Sequence, residues 1–330
     1  MVKQISMETL DRFLNEWHDG SPYLTVHTSG STGTPKPIRV RKEQMMTSAR
    51  LTCSFLGLKE GDKALLCMSL DYIAGKMMIV RSLVAGLDLL TVPPSGHPLK
   101  EVNTPLRFAA MIPMQVYNSL QVPEEKEKLM QIDHLIIGGG AIDAGLAEEL
   151  KEFPNHVWST YGMTETLSHI ALRRLNGKEV SPYYTPFESI RLSLSKDGTL
   201  VIKAPQLCDE SLVTNDIAEL LPDGRFRILG RKDNVINSGG VKIQIEQVEE
   251  LLEQVLSVPF AITAVSHPKF GEAVVLLVEA KQPLAGLQQQ IENLLPPYWQ
   301  PKQIHYVDKI PQTGSGKIDR ATTKKLAALL

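Results

Sequence analysis

No run of 18 apolar residues occurs anywhere in the chain; the nearest approach, Ile79 to Val92, is broken by Arg81 and Asp88. A membrane-spanning helix is therefore not expected. A surplus of either charge is missing as well. Thirty-five basic residues face 37 acidic ones, for a net charge of −2 and a pI near 6.5. That balance gives neither nucleic acid nor an anionic membrane a reason to be the main partner. Cysteine is scarce: Cys53, Cys67 and Cys208 are odd in number, far apart and set among apolar residues. This excludes a disulfide framework and a thiolate metal site, and fits reduced thiols in a cytoplasmic protein. The opening residues, Met1 to Ser6, lack the apolar core of a signal peptide. Internal repeats and low-complexity segments are also lacking.

What is present is an alternation. An amphipathic helix is predicted over 4–19 from Ile5, Leu10, Phe13, Leu14 and Trp17, and a second from Met45, Ala49, Cys53 and Leu56, closed by Gly57. Apolar runs then alternate with helical spacing. Strands are predicted at 64–68, 87–92, 106–112, 135–137 and 157–160, with helices at 74–85, up to Leu120, and at 144–153. Buried strands separated by helices imply a largely parallel, doubly wound sheet. Beyond Arg173 the texture changes: Asp197-Gly198 and Asp223-Gly224 read as hairpin turns between strands. A last unit of about 100 residues follows, with a strand pair over 234–243, a helix over 245–256, strands at 261–266, 273–280 and 303–307, and a final helix from Arg320. The fold class is α/β: a larger domain over 1–230 with a mixed, largely parallel sheet, flanking helices and a β-rich end, then a small, mobile α+β domain over 231–330.

Five stretches carry more polar chemistry than the elements around them. The first is Thr28-Ser29-Gly30-Ser31-Thr32-Gly33-Thr34-Pro35-Lys36, lying between predicted strands at 23–26 and 38–40. Its glycines allow backbone N–H groups to approach an anion, its hydroxyls add donors, and Lys36 adds a positive charge. It is not the GxxxxGK[ST] loop, because prolines on both sides of Lys36 stop a helix from starting there. The second is Gly138-Gly139-Gly140-Ala141, after a buried strand, where a flat ring or a phosphate can lie against backbone. The third, Thr160 to Thr166, offers Tyr161, Gly162, Thr164 and Glu165. Glu165 suits Mg²⁺, which takes one or two carboxylates and leaves the rest to water and phosphate. The same residues also read as a helix start capped by Thr160 or Thr164. The fourth contains Asp216, suited to ribose hydroxyls, and then Arg231, Asp233, Gly239 and Gly240 where the sheet gives way to the small unit. The fifth, Thr313 to Arg320, carries Lys317 in a glycine-rich loop.

In this order and at these intervals, over residues from about 24 to 320, the five stretches resemble the adenylate-forming superfamily: acyl-CoA synthetases, peptide-synthetase adenylation domains and firefly-type luciferases. The resemblance implies a carboxylate that attacks the α-phosphate of ATP, releases pyrophosphate and forms an acyl-adenylate, from which a thiol, usually coenzyme A, displaces AMP. It implies that Thr28, Ser29, Gly30, Ser31, Thr32, Gly33 and Lys36 wrap the outer phosphates, and that Gly138, Gly139, Gly140, Ala141, Tyr161 and Gly162 line the adenine. It further implies that Thr164 meets the α-phosphate, Glu165 holds Mg²⁺, Asp216 and Arg231 take the ribose, and Lys317 serves the first step. Asp233 is then the hinge that brings the Gly239-Gly240 loop in for the second step.

Departures from the family pattern are informative. Only 27 residues precede Thr28, where the family carries a long region, so the sheet is expected to be smaller or completed by a partner subunit, a homo-oligomer included. Asn215 replaces the glycine before the ribose aspartate. In Asp71-Tyr72-Ile73-Ala74-Gly75, Tyr72 stands where the family has a histidine, beside the acyl group. On the next helix Arg81 shares a face with Ala74, Met77, Met78 and Ala85. An arginine there either snorkels, pairs with a nearby acid, or binds a carboxylate on the substrate. With His169 as a further wall, a diacid substrate is expected, and the chain is most similar to the 2-succinylbenzoate–CoA ligases of menaquinone biosynthesis. Two alternatives stay open: another acyl- or aryl-CoA ligase or carrier-loading adenylation enzyme, and a non-catalytic nucleotide-binding subunit.

Overall fold

The computed structural model describes residues 7–27, 37–142, 144–313 and 318–330. The residues expected to hold the outer phosphates, Thr28 to Lys36, and Lys317 with Gly314 to Gly316, lie outside them. The chain divides into two compact units, one of residues 1–192, 202–212 and 221–226, the other of 193–201, 213–220 and 227–330.

The first part runs α1 (Met7–His18), β1 (Tyr23–His27), β2 (Pro37–Arg41), α2 (Lys42–Leu56), β3 (Lys63–Leu66), α3 (Ile73–Ala85), β4 (Asp88–Thr91), β5 (Phe108–Met111), α4 (Pro113–Leu120), α5 (Pro123–Met130), β6 (His134–Ile137), α6 (Ala144–Leu150), β7 (His156–Gly162), β8 (His169–Arg174) and β9 (Thr185–Pro186). β1 and β2 pair antiparallel on either side of residues 28–36. The main sheet has the order β4-β3-β5-β6-β7-β8-β9. Its first five strands are parallel, and β8 and β9 add antiparallel. Every residue of β5 and β6 is buried, as strands covered on both faces must be. Leu135, Ile137, Val157, Met111 and Leu65 join Leu99, Val116, Leu129, Leu146 and Leu150 in one core cluster. Burying each such side chain contributes about 1.5–3 kcal/mol against the entropy of ordering the chain.

Strands β10 (Arg191–Leu194), β11 (Thr199–Lys203), β12 (Leu212–Leu220) and β13 (Phe226–Arg231) form a four-stranded sheet in that order. The C-terminal part comprises β14 (Val235–Ser238), β15 (Val241–Gln244), α7 (Ile245–Leu252), β16 (Phe260–His267), β17 (Gly271–Glu279), α8 (Leu287–Leu294), β18 (Gln303–Val307) and α9 (Arg320–Leu329). Its sheet runs β15-β14-β17-β16, with β18 parallel to β17. Alternate residues of these strands serve opposite faces. Ile262, Leu276 and Val278 pack with Val248, Leu252, Leu287 and Ile291 of α7 and α8, while Ala261, Val275 and Leu277 pack with Ala327 of α9.

The mixed α/β class and the small α+β C-terminal region agree with the sequence reading, with local corrections. Helix α5 was not anticipated: among PEEKEKLM only Glu125 and Leu129 are buried, so it lacks an apolar stripe. Helices α6 and α7 end at Leu150 and Leu252, short of the expected 153 and 256. Helix α3 is not buried along one stripe, since Gly75, Met77, Met78, Ile79, Val80 and Arg81 are all buried while Ala74 is exposed. The helix start expected at Thr160 or Thr164 is a single 3-10 turn, Thr164–Thr166, after which the chain doubles back as β8. Among the described residues no helix is long and apolar enough to cross a membrane.

Candidate functional site

The carboxyl ends of parallel strands are where an open α/β sheet presents ligand sites. Gly138 follows β6 directly and its N–H donates to the Met111 carbonyl at 3.0 Å. Gly138 lies against the Thr160 hydroxyl of β7, and Gly139 and Gly140 lie against Ile112 and Pro113. Gly139 and Ala141 are exposed. The candidate adenine wall is thus backbone, brought beside the end of β7.

Tyr161, near the end of β7, is fixed by two other rings. Phe226 meets it edge-on with centroids 5.1 Å apart, and Tyr184 lies 5.9 Å away. Tyr184 in turn stacks on Phe226 at 5.5 Å and is tied to Ser159 Oγ at 2.9 Å. Such clusters hold a ring plane in place, which a stacking residue needs.

From Gly162 the chain reverses within a few residues. A side chain on Gly162 would overlap the Ser168 carbonyl and the His169 backbone, so β8 returns directly against it, with a register shift at Tyr161/Gly162. The Thr166 hydroxyl accepts from the Met163 N–H at 3.0 Å and donates to the Ser168 carbonyl at 2.8 Å. Leu167 then adopts φ 67° and ψ −36°; among the described residues it is the one non-glycine with positive φ. The Ser168 N–H donates to the Thr166 carbonyl at 2.8 Å, closing a γ-turn of the rare strained kind. Strain of this sort costs on the order of 1–3 kcal/mol and persists where surroundings over-determine it. The turn leaves Thr164 buried and Glu165 exposed, and sets Ser168 and His169 facing inward.

What they face is Arg81, with 2% of its surface exposed. One terminal nitrogen donates to Ser168 Oγ at 2.5 Å, the other contacts Met78 Sδ at 3.7 Å, and buried Nε has no partner. Among the described residues no carboxylate pairs with this guanidinium. Among the described residues Arg81 therefore neither snorkels to solvent nor pairs with a local acid. Burial pushes its pKa down to about 10. His169 is buried too; burial first, and then the Arg81 cation, hold it well below the ordinary imidazole range, so it is neutral. Its Nε2 lies 3.1 Å from Thr52 Oγ1 and its Nδ1 3.3 Å from Ser168 Oγ. Phe187 packs on its ring at 5.6 Å, and Phe55 bridges Phe187 and Trp158. Tyr72, by contrast, is 41% exposed at the start of α3. Sequence reasoning missed Ser168 and Thr52. The hydroxyl next to His169 was the available signal for the first, whereas Thr52 sits 117 positions from its partner and gives none.

The remaining candidates lie in the second unit. Asp216, on β12, takes the Thr214 hydroxyl through its N–H at 3.1 Å, and Thr214 donates to the Leu200 carbonyl at 2.8 Å. Arg231 forks onto Asp233 with two bonds of 2.9 Å and reaches Asp216 at 3.3 Å. The expected ribose ligands and the expected hinge are therefore joined in one cluster. The Asp233 hydrogen bonds raise the Arg231 pKa, and Arg231 lowers that of Asp233. Next to it, the Gln244 amide donates to the Arg231 carbonyl at 3.2 Å and Asn234 donates to Glu246 at 2.5 Å. Gly239 and Gly240 are the two-residue turn of the β14–β15 hairpin, with φ 59° and 84°, as a type I′ turn requires. The segment on either side of residues 314–317 is closed by a Gln312–Ile318 bridge and by the Asp319 N–H donating to the Pro311 carbonyl at 2.9 Å. Arg320 fixes it to Glu249 with two bonds of 2.6 Å.

Among the described residues no group of three His, Cys, Asp or Glu converges as a metal cage. The donor chemistry fits Mg²⁺ nonetheless, because that ion binds through one or two carboxylates and substrate phosphates, and Glu165 is an exposed carboxylate on the turn after β7.

Residues 6–201 match the AMP-binding enzyme family, and residues 247–317 match the AMP-binding enzyme C-terminal domain. The first match alone spans more than half of the chain, and the chain belongs to the AMP-binding enzyme family. Among particular relatives, the 2-succinylbenzoate–CoA ligase of Listeria monocytogenes serotype 4b is 27% identical, over 94% of this chain and 72% of its own. The AMP-forming acyl-CoA synthetase/AMP-acid ligase II-like protein of Dyadobacter fermentans is 33% identical with a TM-score of 0.65, covering 94% of this chain and 91% of its own. The o-succinylbenzoate CoA synthetase of Bacillus subtilis, in complex with ATP and magnesium, shares the fold with a TM-score of 0.75 at 22% identity, over 91% of this chain and 69% of its own.

Proposed function

We propose that the chain is an ATP-dependent acid–thiol ligase that forms an acyl-adenylate and then an acyl-CoA, and that its acid is the diacid 2-succinylbenzoate of menaquinone biosynthesis. The observation that carries the substrate is Arg81: a buried guanidinium with no acid of its own within the described residues. Such a group is costly to bury unless a partner arrives, and it is matched to a carboxylate. The 2-succinylbenzoate–CoA ligases among the relatives support the same acid.

In the first step a carboxylate oxygen of the acid forms a bond to the α-phosphorus, and the bond from that phosphorus to pyrophosphate breaks. The second step forms a carbon–sulfur bond to coenzyme A, breaks the acyl–oxygen bond to AMP and releases the thiol proton. The chain's part is placement and charge. Tyr161 and Gly138 to Ala141 hold the adenine, Gly162 adjoining them. Asp216 and Arg231 hold the ribose, Thr164 meets the α-phosphate, and Thr28 to Lys36 hold the outer phosphates. Glu165 would hold Mg²⁺, which when bound would neutralise phosphate charge. Arg81 orients the acid through its second carboxylate, with Tyr72 and His169 at the acyl end. On this reading 1–230 binds ATP and acid, and 231–330 is a mobile lid. It turns at Asp233, carrying Lys317 in for the first step and the Gly239-Gly240 loop in for the second. Three free cysteines, with burial raising the Cys67 thiol to about 12, support a cytoplasmic setting.

The test is pyrophosphate release and thioester formation with 2-succinylbenzoate, benzoate and medium-chain fatty acids, offering coenzyme A or a carrier protein as thiol. The diacid with coenzyme A is expected to give the highest kcat/KM; equal use of the monoacids would overturn the substrate. Lys317→Ala separates an enzyme from a non-catalytic subunit. Adenylation should fall on the order of a thousandfold, while thioester formation from supplied acyl-adenylate persists.

A further inference from the structure

Arg81, Ser168, His169, Thr52 and Ser48 form one continuous chain of polar groups, all buried except the half-buried Ser168. The Thr52 hydroxyl donates to the Ser48 carbonyl at 3.3 Å, so its oxygen is left to accept, and the donor facing it at 3.1 Å is His169 Nε2. A neutral imidazole carries one proton, so with Nε2 protonated, Nδ1 is a lone pair. That lone pair faces Ser168 Oγ at 3.3 Å. Ser168 therefore spends its only hydrogen on His169 and turns its oxygen lone pairs to Arg81, which donates to them at 2.5 Å. Electrostatics select the same direction: the reverse tautomer would aim an N–H dipole at the guanidinium. Every hydrogen bond then points from Arg81 through Ser168 to His169 at one end, and from His169 through Thr52 to Ser48 at the other.

We infer that His169 is a positioning residue for substrate selection: locked as the Nε2-protonated neutral tautomer, it takes the Ser168 hydroxyl hydrogen, so that toward Arg81 and the substrate Ser168 can only accept, which fixes the Arg81 fork. This rests on the reading that Arg81 takes the second carboxylate of the acid. It changes what His169 does, from a wall touching the acyl group to a group acting through Ser168. It also means Ser168 has no hydrogen to offer the substrate, and the second carboxylate is held by Arg81 alone. Charged or titratable groups facing the imidazole are Arg81 from α3 and, beside Arg81, the Cys53 thiol of α2, which burial keeps protonated. Neither stabilises an imidazolium, so the tautomer persists across the neutral range.

Two measurements test this. In ¹⁵N-histidine-labelled enzyme, one of the eight histidines, identified by its loss in His169→Asn, should show the Nε2-protonated neutral pattern unchanged from about pH 6 to about pH 8. An Nδ1-protonated pattern, or titration in that window, overturns the inference without reference to any substrate. In kinetics, His169→Leu should raise KM for the diacid about tenfold with a smaller effect on kcat. His169→Asn, whose amide oxygen can replace the Nδ1 lone pair, should recover most of that loss. Equal KM values for wild type and His169→Leu, or failure of Asn to do better than Leu while both variants melt as the wild type does, also overturn it. If the wild type itself shows no preference for the diacid, the reading of Arg81 fails instead.

Discussion

Two arginines, Arg81 in the first unit and Arg231 in the second, solve opposite problems. Arg231 is 37% exposed in its side chain and already holds two carboxylates, Asp233 and Asp216. Arg81 is 2% exposed and among the described residues holds none. The first is a satisfied ion-pair network at a junction between strands, worth little as a stability element because water screens it. The second carries a desolvation cost that the fold alone does not offset. The shifts follow: burial takes Arg81 down to about 10, while Asp233 takes Arg231 up. A network with its acids in place can order a hinge or a ribose, whereas on the proposed reading a buried cation beside only a hydroxyl and a thioether serves as a receptor for an anion.

The comparison can be broken in four ways. Arg81→Ala should have the largest effect, lowering kcat/KM for 2-succinylbenzoate about a hundredfold, as loss of a charge-assisted pair requires, and benzoate much less; equal losses would mean that Arg81 only supports the fold. Arg231→Gln should raise KM for ATP about tenfold and leave the preference for the diacid intact; a change in acid preference would merge the two arginines into one role. Stability should sort them in reverse. Arg81→Met replaces a lone buried charge by an apolar chain of similar length and should stabilise by about 1–2 kcal/mol. Arg231→Met should destabilise by less than about 1 kcal/mol. A lower melting temperature for Arg81→Met would show that the charge is paired after all. The smallest effect concerns pH. Asp233 has a folded-state pKa below its ordinary 3.8, so its contribution is present above that value and is lost as pH falls through the folded value. Asp233→Asn should flatten this acid limb of the melting profile by lowering stability slightly at neutral pH, and leave the acid end almost unchanged.

Much of the fold was legible because buried strands advertise themselves. The apolar run of β5, the Leu135 to Ile137 run of β6 and the alternating faces of β16 and β17 are visible as runs and periods. What escaped had no apolar signature: α5 is polar on nearly every side, and β12 carries Thr214, Asn215 and Asp216, which read as site residues rather than as strand. The turn after Tyr161 misled for a physical reason. Thr164-Glu165-Thr166 has the composition of a helix start, but Gly162 lets β8 pack against it and Leu167 takes a strained γ-turn. Local preference yields there to sheet pairing. Arg81 was visible as an oddity on an apolar helix, yet its meaning depended on Ser168 and Thr52, which lie 87 and 117 positions from the groups they contact. No local pattern carries that.

The proposed function requires that Arg81 stay unsatisfied until a second carboxylate arrives. It is tested most directly by melting the enzyme with ATP, Mg²⁺ and either 2-succinylbenzoate or benzoate, in the wild type and in Arg81→Ala. A ligand that binds only the folded state raises its stability by mass action. The account predicts a rise in melting temperature with the diacid well above that with benzoate, and loss of that difference in Arg81→Ala. Equal rises with both acids in the wild type, or an undiminished difference in the variant, would contradict it.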